Sequence, residues 1–299
     1  NLRSAVTDDF STTTARLTIK EGAGYVILAL GRLDTFAEGH AEHGQTTDYI
    51  YSVLRGRGFV DDDIQYLREF LPGEIDRGFP VDGPATAASL QFAIETWAAG
   101  KMLASPAPLY VVLVDHGNPG IFYTDIGATG PVEFITADDL NGWLGVLQSA
   151  LGGKMDEMQN TPGELLFAEK EVSPDPFQKN DILKSTAAEQ DITVIYGACY
   201  SGSFIPVLSG PGRVIITSSA ANEIAYRGVI NEDTGLRDGD FFLTEFFRNA
   251  GEGRTVKEAF ELACIKSSEY TATRTGSNAV VPQHPLLDDN ADGVGTTGY

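Results

Sequence analysis

The chain of 299 residues carries 42 acidic against 21 basic side chains, and its formal charge of -21 repels phosphate backbones and anionic lipid surfaces, which argues against nucleic acid as a partner. Its 42% hydrophobic content suffices for one substantial core, yet no segment approaches the roughly 18 apolar residues of a membrane span. Two cysteines, Cys199 and Cys264, exclude a disulfide framework. Residues 1–22 hold no continuous apolar run, so an export signal is absent or removed, and they read as an N-terminal extension.

Short apolar runs then alternate with amphipathic stretches, the pattern of strands and helices that build a mostly parallel sheet. Tyr25 to Leu30 (YVILAL) predicts a buried first strand, and Ile50, Val53 and Leu54 recur at helical spacing before Gly56 and Gly58 stop the helix. Ile64 to Leu67 is a weaker second strand, and Pro84 is expected to open a helix with Leu90, Ile94 and Trp97 on one face. Leu109 to Val114 (LYVVLV) predicts a third strand that breaks off into Asp115-His116-Gly117-Asn118-Pro119-Gly120. Ile121 to Phe134 suggests a hairpin excursion, and Thr136 with Asp139 makes a capping-box pattern ahead of Leu140, Trp143, Leu144 and Leu147.

Residues 152–190 are polar, contain Pro162, Pro174 and Pro176, and exceed ordinary connections, so they read as an inserted surface loop. Ile192 to Tyr196 is the fourth strand, leading into Gly197-Ala198-Cys199-Tyr200-Ser201-Gly202, and Arg213 to Thr217 is the fifth. Helices follow from Phe241 and from Thr255, where Thr255 and Glu258 repeat the capping spacing. One α/β domain, 23–280, absorbs these elements, and the turn-rich residues 281–299 read as a polar linker leading out of it.

Ligands of open α/β sheets bind beyond the carboxyl ends of the strands, where His116 and Cys199 both emerge, each with a nearby glycine that permits close backbone approach. Taken singly, Cys199 reads as a small buried hydrophobe and His116 as a satisfied loop histidine; the pair at the ends of two core strands points instead to nucleophilic catalysis. A helix beginning near Ser201 is expected to lower the Cys199 pKa, while the N–H groups of Gly117 and Cys199 offer an oxyanion hole and His116 a proton for the leaving amine. Cys264, on an amphipathic helix with Val256, Phe260 and Ala263, is core filler. No G-x-S-x-G elbow with a late histidine is found, and neither a P-loop nor a G-x-G-x-x-G fingerprint follows the first strand, so the α/β-hydrolase and nucleotide-binding readings fail.

Val114-Asp115-His116-Gly117 and Gly197-Ala198-Cys199-Tyr200-Ser201-Gly202-Ser203 resemble the paired motifs of the caspase-like cysteine peptidases, closest to the legumain-like C13 family, over about Tyr25 to Phe260. The resemblance implies a caspase-like three-layer α/β/α sandwich with a mostly parallel central sheet. It also implies endopeptidase action on a peptide or protein substrate without a metal, His116 and Cys199 forming the catalytic dyad and Gly117 donating to the oxyanion. Legumains also use an arginine after the first strand and an aspartate in a Gly-Asp pair. Gly239-Asp240 resembles that pair, but the stretch around Glu42, His43 and Gln45 has no arginine. An acidic pocket without the arginine would favour Arg or Lys at P1, with Asp240 substrate-binding; Asp240 is equally suited to N-cap the next helix. Asp288, Asn290 and Asp292 match the D-x-N-x-D-G start of a calcium loop without its closing glutamate, so the reading divides between a calcium site and a solvated acidic turn. Such loops suit extracellular calcium levels and point to a secreted, periplasmic or surface location. The contrasting function is a caspase-like binding or scaffold domain of a larger surface protein.

Overall fold

A computed structural model describes residues 24–32, 39–71, 74–124, 132–160, 191–272 and 283–298, with backbone only for 153–160. The expected N-terminal extension therefore lies outside the described residues, as does most of the expected insertion. Its first nine residues, 152–160, continue a helix.

Six strands form the central sheet in the order β2-β1-β3-β7-β8-β9. They are β1 (Tyr25–Leu30), β2 (Ile64–Leu67), β3 (Leu109–Val114), β7 (Ile192–Gly197), β8 (Arg213–Thr217) and β9 (Leu286–Asp288). All neighbours pair in parallel except β9, which runs antiparallel to β8. Every residue of β1, β3 and β7 is buried, as near-continuous apolar runs covered on both faces require.

The side-chain alternation of a strand divides these runs between two cores. Ile27, Ala29, Val111, Leu113 and Val194 face one side and meet Leu90, Ile94, Leu140, Leu144 and Leu147. Val26, Leu28, Tyr110, Val112 and Ile195 face the other and meet Ile50, Leu54, Phe242, Phe246 and Phe260. The first helical layer contains α2 (Ala87–Phe92), continued through a π-helical turn (Ala93–Ala98) into α3 (Ala99–Ala104), and α4 (Ala137–Asn160); the short α5 (Ile205–Leu208) joins it. The second contains α1 (His40–Gly56), α6 (Phe241–Gly251) and α7 (Val256–Ala272). The result is the expected three-layer α/β/α sandwich.

Both capping boxes form. The Asp139 amide donates to Thr136 Oγ1 at 3.1 Å while the Thr136 amide donates to Asp139 Oδ2 at 2.9 Å, and Thr255 and Glu258 repeat the exchange at 3.2 and 2.9 Å. Helix α2 starts three residues later than Pro84 suggests, because Thr86 Oγ1 accepts from the Ser89 amide at 3.1 Å and acts as the N-cap. A small antiparallel sheet of β4 (Gly117–Asn118), β5 (Ile121–Tyr123) and β6 (Phe134–Thr136) occupies the expected hairpin excursion.

The expected linker is part of the domain. Leu286–Asp288 adds the sixth strand to the sheet, Leu287 and Gln283 are buried, and Leu287 exchanges two 2.9 Å backbone bonds with Thr296. Three residues of strand among prolines, glycines and aspartates give too short a period-2 signal to stand out in sequence.

Candidate active site

Strands β3 and β7 are hydrogen-bonded neighbours, and their register pairs Val114 with Gly197. His116 and Cys199 each lie two residues past these partners, so both backbones emerge at one rim of the sheet at the same height. The two exit segments remain together: the Asp115 amide donates to the Gly197 carbonyl at 3.2 Å, and a methyl group on Gly117 would sit 2.6 Å from the Cys199 carbonyl oxygen. Gly117 thus passes too close to the cysteine backbone for a side chain. Both His116 and Cys199 are partly exposed, as a reactive pair needs.

The small residues after Cys199 each have a local task. Tyr200 turns the chain through a left-handed conformation (φ 60°), uncommon for a residue with a Cβ and typical of a constrained turn. Gly202 passes so close to the 219–221 backbone that a methyl group would lie 2.7 Å from the Ala221 nitrogen. Ser203 Oγ accepts from the Gly120 amide at 2.8 Å and donates to the Tyr200 carbonyl at 2.6 Å, stitching the histidine loop to the cysteine loop. Ser201 Oγ accepts from the Ser219 amide at 3.1 Å.

The thiol faces the segment after β8. The Ala225 amide donates to Cys199 Sγ at 3.4 Å, with the Ala225 carbonyl 3.9 Å from the sulfur. Residues from the supposed linker hold this segment: Gln283 accepts from the Tyr226 amide at 3.2 Å and donates to the Ser218 carbonyl at 2.5 Å, and His284 Nδ1 lies 2.6 Å from Glu223 Oε1.

The Cys199 pKa is raised, contrary to the sequence expectation. Burial is the main cause and the Asp240 charge adds to it, against a lowering pull from the Ala225 hydrogen bond and from Arg227. The cysteine is followed by a 3₁₀ turn (Ser201–Phe204) and only four residues of α5, too little aligned backbone for a strong helix-terminus field.

Asp240 is the N-cap of α6, its Oδ1 accepting from the Leu243 amide at 2.9 Å, and it is buried. Burial raises its pKa from 3.8 to about 6. The charged form therefore costs stability, a cost absent below the ordinary pKa that grows as pH rises and is complete above about 6. Asparagine caps as well as aspartate, so Asp240→Asn is expected to leave stability unchanged at pH ~3 and to raise it by about 1–3 kcal/mol at pH ~8, read from urea unfolding at both pH values.

An arginine does stand beside the site, from a different part of the chain. Arg227 Nη1 lies 3.8 Å from Glu42 Oε1, its guanidinium packs against Gly39, and its charge bears on both His43 and Cys199. The arginine that the stretch around Glu42 lacks is thus supplied beside Glu42 from residue 227.

His43 was not singled out as a site residue. It projects from the first turn of α1, and its Nδ1 lies 3.0 Å from Asp115 Oδ1; its ring stands edge-on to His116 with centroids 5.0 Å apart. Burial lowers its pKa to about 3, with Arg227 and His40 contributing, so the ring stays neutral. The available signal was a second histidine in a chain with only four, but nothing in the spacing ties position 43 to 116.

Asp288, Asn290 and Asp292 follow β9 and spend their oxygens on their own turn. Asp288 Oδ1 accepts from the Ala291 amide at 3.0 Å, Asn290 Oδ1 from the Asp292 amide at 3.1 Å and Asp292 Oδ1 from the Val294 amide at 2.7 Å.

No family model and no curated protein matches the chain. Among solved structures it is similar to caspase-1 from Spodoptera frugiperda, with a TM-score of 0.51 and 14% identity over 96% of this chain and 94% of that one. The chain therefore has the caspase-like fold; the likeness extends to architecture and does not single out the legumain-like branch.

Proposed function

We propose that the chain is a cysteine endopeptidase in which Cys199 attacks the scissile carbonyl and His116 transfers the proton. The observation that carries this reading is the register: paired neighbours Val114 and Gly197 launch the histidine and the cysteine from one rim, with Gly117 packed on the cysteine backbone between them.

A thiol whose pKa is raised stays protonated at rest, so the reaction begins with transfer of its proton to the imidazole as the sulfur bonds to the carbonyl carbon. The N–H groups of Gly117 and Cys199 are assigned to the developing oxyanion. His116 then passes the proton to the leaving amine, and water attacks the thioester with the imidazole accepting a proton, restoring the thiol. None of these steps uses a metal.

The raised thiol pKa also favours a second reading, a caspase-fold binding module with an inert cysteine. A peptidyl electrophile separates the two. Covalent modification localised to Cys199 by mass spectrometry, and lost in His116→Ala, is expected of the peptidase; modification no faster than that of a free thiol would leave the binding module.

A further inference from the structure

We propose that His43, Asp115 and His116 form a binding site for a first-row divalent metal ion at the rim of the sheet, beside the thiol. A ring nitrogen from each histidine and a carboxylate oxygen of Asp115 lie within 4.8 Å of one another. His43 Nδ1 and Asp115 Oδ1 are 3.0 Å apart, near the separation of two adjacent ligands that each stand about 2.0–2.2 Å from a common ion. An ion entering there replaces the proton shared by that pair, and the His116 ring, within 4.8 Å of both donors, supplies the third.

Several features favour such an ion against the opposing charge of Arg227. The His43 ring is already hydrogen-bonded to the Gly239 backbone, and ligating histidines commonly turn their second nitrogen toward a backbone carbonyl or a carboxylate. His43 and Asp115 are fixed by burial, whereas His116 is partly exposed and gives an approach from solvent. Two imidazoles and one carboxylate suit zinc and its neighbours in the first row rather than calcium or magnesium. The net charge of -21 draws cations to the protein.

The binding claim stands apart from the peptidase reading; only its consequence rests on that reading. An ion on His116 occupies the nitrogen that catalysis would need, so the site would act as a brake, released when the ion is withdrawn.

The test uses the full chain carrying Cys199→Ala, which removes thiol binding and turnover together, titrated with Zn²⁺ against a chromophoric chelator. One ion per chain is expected, weakened about 10–100-fold by adding His116→Ala and similarly by His43→Phe, and unchanged by adding Asp288→Asn. Retention of full affinity in the His116→Ala protein overturns the site, as does loss of the ion with Asp288→Asn, which would place it in the acidic turn. His116 is partly exposed, so its variant decides the matter even where His43→Phe fails to fold. Absence of Zn²⁺ binding by the Cys199→Ala parent likewise overturns the site and leaves the peptidase reading untouched.

Discussion

Peptide turnover is expected to fall by at least about 10³-fold in Cys199→Ala and by a similar factor in His116→Ala, with circular dichroism unchanged in both. The two losses should be nearly equal because the thiol does not ionise unaided. Burial and the Asp240 charge hold its proton on, so removing the imidazole removes the acceptor on which attack depends. The pair should also be strongly non-additive: the double variant should turn over no more slowly than either single one, since each already disables the same step. Initial rates on a mixed peptide library, followed by mass spectrometry, provide the measurement. Undiminished cleavage by Cys199→Ala would remove the nucleophile assignment, and wild-type protein inert toward the whole library would leave the binding-module reading in place.

The strands β1, β3, β7 and β8 were legible because buried parallel strands are written as unbroken apolar runs, and YVILAL, LYVVLV, ITVIY and RVIIT have no competing helical period. His116 and Cys199 were legible for the same reason, each lying within three residues of the end of such a run. That β3 and β7 are adjacent was beyond the sequence, because strand order is a tertiary outcome; the helices and small sheet between them put 77 positions between Val114 and Ile192.

What was misread depended on long-range partners. Asp240 was not among these: the N-cap offered for it forms, through a bond to Leu243 only three residues on. The cysteine was expected to be acidified by a helix, but a tight 3₁₀ turn follows it, and the burial that dominates its pKa cannot be seen from neighbouring letters. Arg227 stands beside Glu42 although 185 positions separate them, so no reading of the α1 region could supply that charge. Gln283 and His284 look like linker residues and yet hold the segment that faces the thiol.

Gly117→Ala is expected to lower kcat by about 10²–10³-fold while leaving the protein folded. The backbone at Gly117 is in an ordinary extended strand, so the effect comes from space and not from a forbidden dihedral. The added methyl would meet the Cys199 carbonyl oxygen at 2.6 Å, the Tyr196 hydroxyl at 2.5 Å and the Ala198 methyl at 3.0 Å. Two of these belong to the backbone and first side chain of a buried strand end and have little room to yield, so the histidine loop must move instead. A shift of a few tenths of an ångström to 1 Å carries the Gly117 N–H and the His116 ring away from the sulfur together, enough to disable donors that must lie within hydrogen-bond reach of the oxyanion. Substrate side chains would still find their subsites, so KM should change little. The Gly120 amide remains tied to Ser203 Oγ, so the loop should tilt about that bond and not detach. Steady-state kinetics with thermal unfolding on the same sample checks the split, and an unchanged kcat would remove Gly117 from the oxyanion hole.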